Sequence, residues 1–167
     1  ASLGLDRLVK KYNIGLNALI KLAGLSQKEL NSADIVFGIA PRINAAGRMG
    51  SAMRAVELMV SVDEEESDEL AQIIERENSL RQQIDQRTFQ EACDIIEKKY
   101  KNMDETPIIV VSSDDWHPGV IGIVASKLVE KYYRPSIMIT FKEGIGSGSG
   151  RSIAGFNLFD ALVSVEG

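Results

Sequence analysis

The chain has 167 residues, 44% of them apolar and 26% charged, which suits one ordinary folded domain or two small ones and excludes disordered and collagen-like chains. Nineteen Lys and Arg against 24 Asp and Glu give a net charge of −5, so any polyanion site has to be local. No apolar run approaches the roughly 20 residues that cross a bilayer, and no basic-then-apolar leader opens the sequence. An intracellular, soluble, cytoplasmic protein with no membrane partner is expected.

The apolar residues from Leu3 to Val60 recur at helical spacing, as Leu5, Leu8 and Val9 and then Leu16, Leu19 and Ile20. Gly15 and Gly24 read as breaks, which predicts several short helices. Ser26 and Glu29 have the spacing of a capping box, and residues 33–39 read as a helix stopped by Pro41. Residues 64–101 hold no Gly or Pro and predict one long helix. Asp63 with Glu66 opens it, and acidic residues crowd its first turn and lysines its last, as the helix dipole favours. Leu70, Ile73, Ile74, Leu80, Ile84, Ile95 and Ile96 form an apolar stripe along roughly 55 Å. A linker between two lobes is the preferred reading over a coiled coil, whose seam Glu77 and Arg87 interrupt.

After Pro107 the pattern turns to β. Residues 108–111 predict a strand, 120–132 a helix, 136–141 a second strand, and 158–163 a final helix, with a glycine-rich stretch at 144–150. The fold class is α/β: a short α-helical N-terminal segment, a long connecting helix, then a small α/β domain with a mixed or partly parallel sheet.

Charge is unevenly spread. Residues 1–61 carry 8 basic and 4 acidic side chains, 62–105 carry 6 and 14, and 106–167 carry 5 and 6, so an anion is drawn to the first third and repelled by the middle. The single cysteine, Cys93, cannot close an internal disulfide, and neither it nor the one histidine, His117, has neighbours at metal-ligand spacing. There is no Gly-x-x-x-x-Gly-Lys phosphate loop and no Gly-x-Ser-x-Gly elbow. A self-sufficient enzyme is hard to assemble from what remains.

Three segments could carry chemistry. In PRINAAGRM (41–49) two arginines and Asn44 sit among small residues in an expected loop. Arg48 or Arg42 could grip a phosphate while Asn44 fixes the loop; a helix connection with solvated arginines is the alternative. In SSDDWHPGVIG (112–122) a strand end passes into a helix start, where free amides favour an anion, His117 could donate to it, and Gly119 and Gly122 clear space. His117 could instead cap the helix or pack on Trp116. In GIGSGSGRS (144–152) glycines alternate with small residues before an arginine. Backbone amides and hydroxyls there, including Ser149, Gly150 and Ser152, could surround one phosphate while Arg151 supplies the charge. A flexible linker is the competing reading.

Together and in this order, PRINAAGRM, WHPGVIGIVASKL and GSGRSIAGFNLFDAL resemble signatures of the RecJ family of single-stranded-DNA-specific exonucleases, within the DHH phosphoesterase superfamily. The resemblance runs from about Gly15 to Leu162. It implies that residues 1–62 are the helical end of a DHH catalytic lobe, 63–105 the linker helix, and 106–167 a DHH-associated α/β domain truncated at its C-terminus. The family's Asp-His-His motif, which holds two divalent ions, manganese or magnesium, is absent here, so the chain is expected to begin downstream of it. It is likewise expected to stop short of a Phe-Gly-Gly-His segment. No catalytic residue and no metal site is therefore expected within it, and a fragment that binds without cutting is predicted.

In the intact enzyme the resemblance implies 5′ to 3′ degradation of single-stranded DNA, preferably 5′-phosphorylated, held between two lobes. Arg48, Ser149 and Arg151 match positions that hold the terminal phosphate or nearby backbone, and His117 and the following glycines would line the same cleft. Arg42 and Asn44 could instead brace their own segment. A related DHH phosphodiesterase for oligonucleotides or cyclic dinucleotides, a non-catalytic nucleic-acid-binding module, and an interaction domain built on the long helix are the other readings.

Overall fold

The computed structural model describes residues 13–25 and 30–165. The helix expected around Leu5, Leu8 and Val9 and the capping box of Ser26 and Glu29 lie outside them. The elements follow as α1 (Ile14–Leu22), a π-helical turn (Asp34–Ile39), α2 (Ala40–Met49), α3 (Ala52–Val60), α4 (Glu64–Lys99), β1 (Ile109–Ser112), α5 (Pro118–Tyr132), β2 (Ser136–Lys142), β3 (Ile145–Arg151) and α6 (Leu158–Val163). The chain divides into two compact units, residues 1–82 and 83–167, so the division falls inside α4.

Unit 1 is helical. Asn13 caps α1 by accepting from the Leu16 amide at 2.7 Å, and its own amide donates to the Met59 carbonyl at 2.7 Å, which ties the start of α1 to the end of α3. Gly15 is not the expected break: it lies within α1, where a Cβ would stand 1.8 Å from the Leu58 carbonyl oxygen. Only a bare backbone lets the two helices approach this closely. Gly24 does end the helix, with φ of +69°. The amides of Gly24 and Leu25 return to Lys21 and Ile20, the hydrogen-bond pattern of a left-handed helix stop. Leu19, Ile39, Leu58 and Ile74 are at most 1% exposed and anchor the core.

Pro41 does not stop a helix either. Asn31 accepts from the amides of Ala33 and Asp34, and Asp34 accepts in return from Asn31, so a reciprocal cap starts a helix that runs through the π turn into α2. In that turn Ala40 bonds five residues back to Ile35. The wider turn moves the preceding carbonyls off the pyrrolidine ring, which a regular α-helix could not do without a kink. PRINAAGRM is therefore helix, not loop.

Helix α4 opens as predicted, with the Asp63 carboxylate accepting from the Glu66 amide at 2.8 Å and the Ser61 hydroxyl donating to Glu66 at 2.6 Å. Its 36 residues span about 54 Å.

Unit 2 holds a three-stranded sheet in the order β1-β2-β3, with β1 parallel and β3 antiparallel to β2. Helix α5 is the crossover that a parallel pair requires. Ile109, Val111 and Met138 on one sheet face, and Val120, Val124, Ala125 and Leu128 on α5, are all at most 2% exposed. The free edge of β1 is occupied by side chains: the Tyr100 hydroxyl accepts from the Val110 amide at 2.9 Å and donates to its carbonyl at 3.1 Å, and Lys99 donates to the same carbonyl. The glycine-rich stretch, for which a flexible linker was the competing reading, is strand β3, turned from β2 at Glu143 and Gly144, both with positive φ. The mixed α/β fold expected from the sequence is the one observed.

Gly15→Ala is expected to lower the stability of unit 1 by about 1–3 kcal/mol, because a backbone carbonyl cannot yield to the new methyl. Urea denaturation reads this, and a variant as stable as the parent would show that α1 and α3 can move apart without cost.

Candidate nucleic-acid interface

The alternation of β3 sorts its residues by face. Ser147, Ser149 and Arg151 pair with Thr140, Met138 and Ser136, the buried positions of β2, and so lie on the side that α5 covers. Gly146, Gly148 and Gly150 lie on the other. There a Cβ at Gly146 would meet the Phe141 ring at 3.1 Å, and one at Gly150 would meet the Leu158 side chain at 2.8 Å. These glycines make room for packing on the face away from α5.

On the α5 side the decisive position is Gly122. A Cβ there would stand 2.9 Å from Ser149 Oγ and 3.3 Å from Arg151 Nη2, so these two side chains lean into the second turn of α5 because the helix offers no side chain. Arg151 Nη1 donates to the Gly150 carbonyl at 2.7 Å and to Ser149 Oγ at 3.3 Å. Among the described residues its Nε and Nη2 have no partner, which leaves one edge of the guanidinium open to a bidentate anion. The Ser152 hydroxyl, also expected at the phosphate, donates instead to the Phe156 carbonyl at 2.7 Å and closes a turn.

The start of α5 differs from expectation in one respect: its first amides are not free. Pro118 has none, the Gly119 amide donates to His117 Nδ1 at 3.0 Å, and the amides of Val120 and Ile121 return to the His117 carbonyl. His117 is thus the helix cap, and what the helix end can offer an anion is its dipole alone. Because Nδ1 accepts, the ring hydrogen is on Nε2, where it has no partner among the described residues. The cap is itself held from behind. Trp116, 3% exposed, donates from Nε1 to Glu91 of α4 at 3.1 Å, and its carbonyl accepts from the buried Thr140 hydroxyl at 2.7 Å. The other Glu91 oxygen accepts from Arg87 at 2.7 Å, and this bond and charge push the Arg87 guanidinium above its ordinary pKa.

In unit 1, Arg42 is a brace. Its Nε pairs with Glu75 of α4 and a terminal nitrogen donates to the Gly38 carbonyl at 2.5 Å, inside the π turn. Asn44 and Arg48 are exposed one helical turn apart on α2, whereas Ala45 and Ala46 are fully buried, so the two alanines of this motif pack the core. Sequence reasoning did not single out Glu75, Glu91 or Thr140 for these roles. Their partners are 33, 25 and 24 residues distant, and no local pattern marks such pairs. Among the described residues no group of three or more His, Cys, Asp or Glu could hold a metal ion, and no helix is long and apolar enough to cross a membrane.

Residues 105–167, from just before β1 through α6, match the DHHA1 domain family. Over 164 residues the chain is 45% identical to the single-stranded-DNA-specific exonuclease RecJ of Bacillus subtilis (strain 168), covering 97% of this chain and 20% of that protein. RecJ of Thermus thermophilus in complex with Mg2+ matches in structure with a TM-score of 0.82 at 32% identity, over 98% of this chain and 24% of that one. Exonuclease RecJ bound to manganese matches with a TM-score of 0.80 at 31% identity, over 96% and 38%. The chain spans between a fifth and two fifths of these proteins, and in sequence and fold it is similar to a segment of each.

Glu91→Ala would leave the buried indole N–H without an acceptor and is expected to cost about 1–3 kcal/mol. Trp116 is the only tryptophan, so its fluorescence reports both the stability and the altered indole environment. Unchanged emission and stability would mean that Glu91 does not hold the α5 cap.

Proposed function

We propose that this chain is the DNA-binding part of a cytoplasmic exonuclease that degrades single-stranded DNA from 5′ to 3′, and that it holds the strand by its 5′-phosphate. The observation that carries this reading is the convergence of Ser149 and Arg151 on Gly122, supported by the likeness to RecJ. The open edge of Arg151 takes two phosphate oxygens, the Ser149 hydroxyl donates to a third, and the α5 dipole adds a favourable potential. His117 Nε2–H is a further donor at the same helix start. Arg48 and Asn44 contact the sugar-phosphate backbone elsewhere along the strand. Phosphate contacts of this kind position a strand without reading its sequence.

The described residues do not fit the two divalent ions of such an enzyme. Hydrolysis by two metals needs clustered carboxylate and imidazole ligands, and the described residues bring no such cluster together. Those ligands, manganese or magnesium with them, belong to residues outside this chain. By itself it binds and does not cut.

Fluorescence anisotropy against a 5′-phosphorylated single strand, the same strand with a 5′-hydroxyl, and a duplex tests the reading. The phosphorylated single strand is expected to bind tightest and to lose affinity steeply as salt rises. Arg151→Ala is expected to weaken it by about 1.5–3 kcal/mol, an effect largely absent with the 5′-hydroxyl strand, whereas Arg48→Ala weakens both strands. Equal binding to all three nucleic acids, or an Arg151→Ala variant that binds like the parent, would overturn the assignment.

A further inference from the structure

Within unit 2, the last turns of α4 and α5 meet at a cluster that the proposed DNA contacts do not use. Cys93 of α4 is 2% exposed. Lys131, in the last turn of α5, donates from Nζ to its sulfur at 3.3 Å, across 38 residues of chain. Two rings hold the ammonium group in place, with the centre of Phe89 at 5.8 Å and that of Tyr132 at 4.9 Å. The Tyr132 hydroxyl is buried and has no hydrogen-bond partner among the described residues. Such a group costs stability and marks a place where an added atom would find a donor. Burial, and after it the neighbouring thiol, push the Tyr132 hydroxyl above the ordinary tyrosine pKa, with Lys131 pulling the other way. The hydroxyl therefore keeps its proton.

We propose that Cys93 and Lys131 form a modification site, at which oxidation of the thiol by a peroxide ends in a covalent S–N cross-link between α4 and α5, with the Tyr132 hydroxyl donating to the departing oxygen. In the first step the sulfur loses its proton to solvent and attacks one peroxide oxygen. The O–O bond breaks, a sulfenic acid forms, and the other oxygen leaves as water. In the second, the Lys131 ammonium loses a proton to solvent and Nζ attacks Sγ. The S–O bond breaks, and the hydroxide leaves as water with a second proton from Nζ. Sulfur has then lost two electrons and the peroxide has gained them. Cys93 is the only cysteine, so the chain offers no thiol to capture the sulfenic acid, and its burial keeps a bulky outside thiol away. A peroxide is little larger than water and enters where the exposed Lys131 side chain swings aside. The cross-link fastens the C-terminal end of α5 to α4. Its N-terminal end is already held there by Trp116 on Glu91, so the modified helix is pinned at both ends. None of this depends on the phosphate site.

Treatment of the reduced 167-residue chain with hydrogen peroxide, followed by mass spectrometry, tests the proposal. The product is expected to be about 2 Da lighter than the parent. Trypsin should then release residues 88–98 joined to 128–142, because Lys131 is no longer a cleavage site and Pro135 protects Arg134. Dithiothreitol should restore the parent mass and the separate peptides. Closing a loop of 38 residues is expected to raise Tm by about 5 °C or more. Lys131→Arg keeps the charge without the amine, and it should give the sulfenic, sulfinic and sulfonic acids instead, about 16, 32 and 48 Da heavier. The parent unfolded in urea should do the same, because the two side chains are no longer adjacent. Tyr132→Phe is expected to give the same cross-link several-fold more slowly, and an unchanged rate would remove the tyrosine from the reaction. A folded parent that yields only the heavier acids, with Lys131 cut normally by trypsin, or whose thiol peroxide leaves untouched, would overturn the site.

Discussion

The constraint on which this structure most depends is the absence of a Cβ at a few positions where elements meet. At Gly122 the missing side chain admits Ser149 and Arg151, at Gly150 it admits Leu158, and at Gly15 it admits the backbone of α3. The first makes the candidate phosphate site, the second the contact that seats α6 against β3, and the third the contact that joins α1 to α3. In each case a methyl group would press on atoms already at van der Waals distance or closer. Protein interiors have few voids to absorb such a change.

Helix α4 is the second organising element, and it works through charge as much as through its apolar stripe. The excess of acid in its sequence is not simply a solvated face. Glu75 meets Arg42, Glu77 meets Arg54, Asp85 meets Lys127 at 2.7 Å, and Glu91 meets both Arg87 and the Trp116 indole. The Asp85 side chain is only 8% exposed, so its pairing with Lys127 is the kind whose disruption leaves an uncompensated buried charge. These pairs fix α2 and α3 in one unit and α5 in the other. They therefore orient the arginines and the helix cap of the candidate sites without belonging to them.

Much of the fold was legible because it follows from local rules. The Asp63 and Glu66 cap, the bounds of α6, and the strand, helix, strand order of the second unit all follow from spacing within a few residues. Pro41 misled because the rule against proline in a helix assumes α geometry, and the π turn before it relaxes that assumption. The run at 144–150 escaped reading as a strand for a different reason. Its strict alternation of glycine with other residues is the period of a strand, but glycine masks the period by supplying no apolar face, and the side chains of Phe141 and Leu158 that fill this face become visible only once the register is known. Arg151, Ser149 and Gly122 could be named in advance as residue types suited to an anion. That the last makes room for the first two depends on β3 lying beside α5, which no segment of the sequence states.

The arrangement at the sheet edges has a directional consequence. Tyr100 satisfies both main-chain groups of Val110 and Lys99 covers the same carbonyl, so β1 presents no template for another strand. Among the described residues β3 is the opposite border, with three glycines on one face and no comparable cover. A sheet sealed on one side and open on the other can grow only outward from β3. Any strand that joins it, from a longer polypeptide or from another molecule, would come to lie alongside the backbone of Ser149 and Arg151, coupling sheet extension to the shape of the anion site.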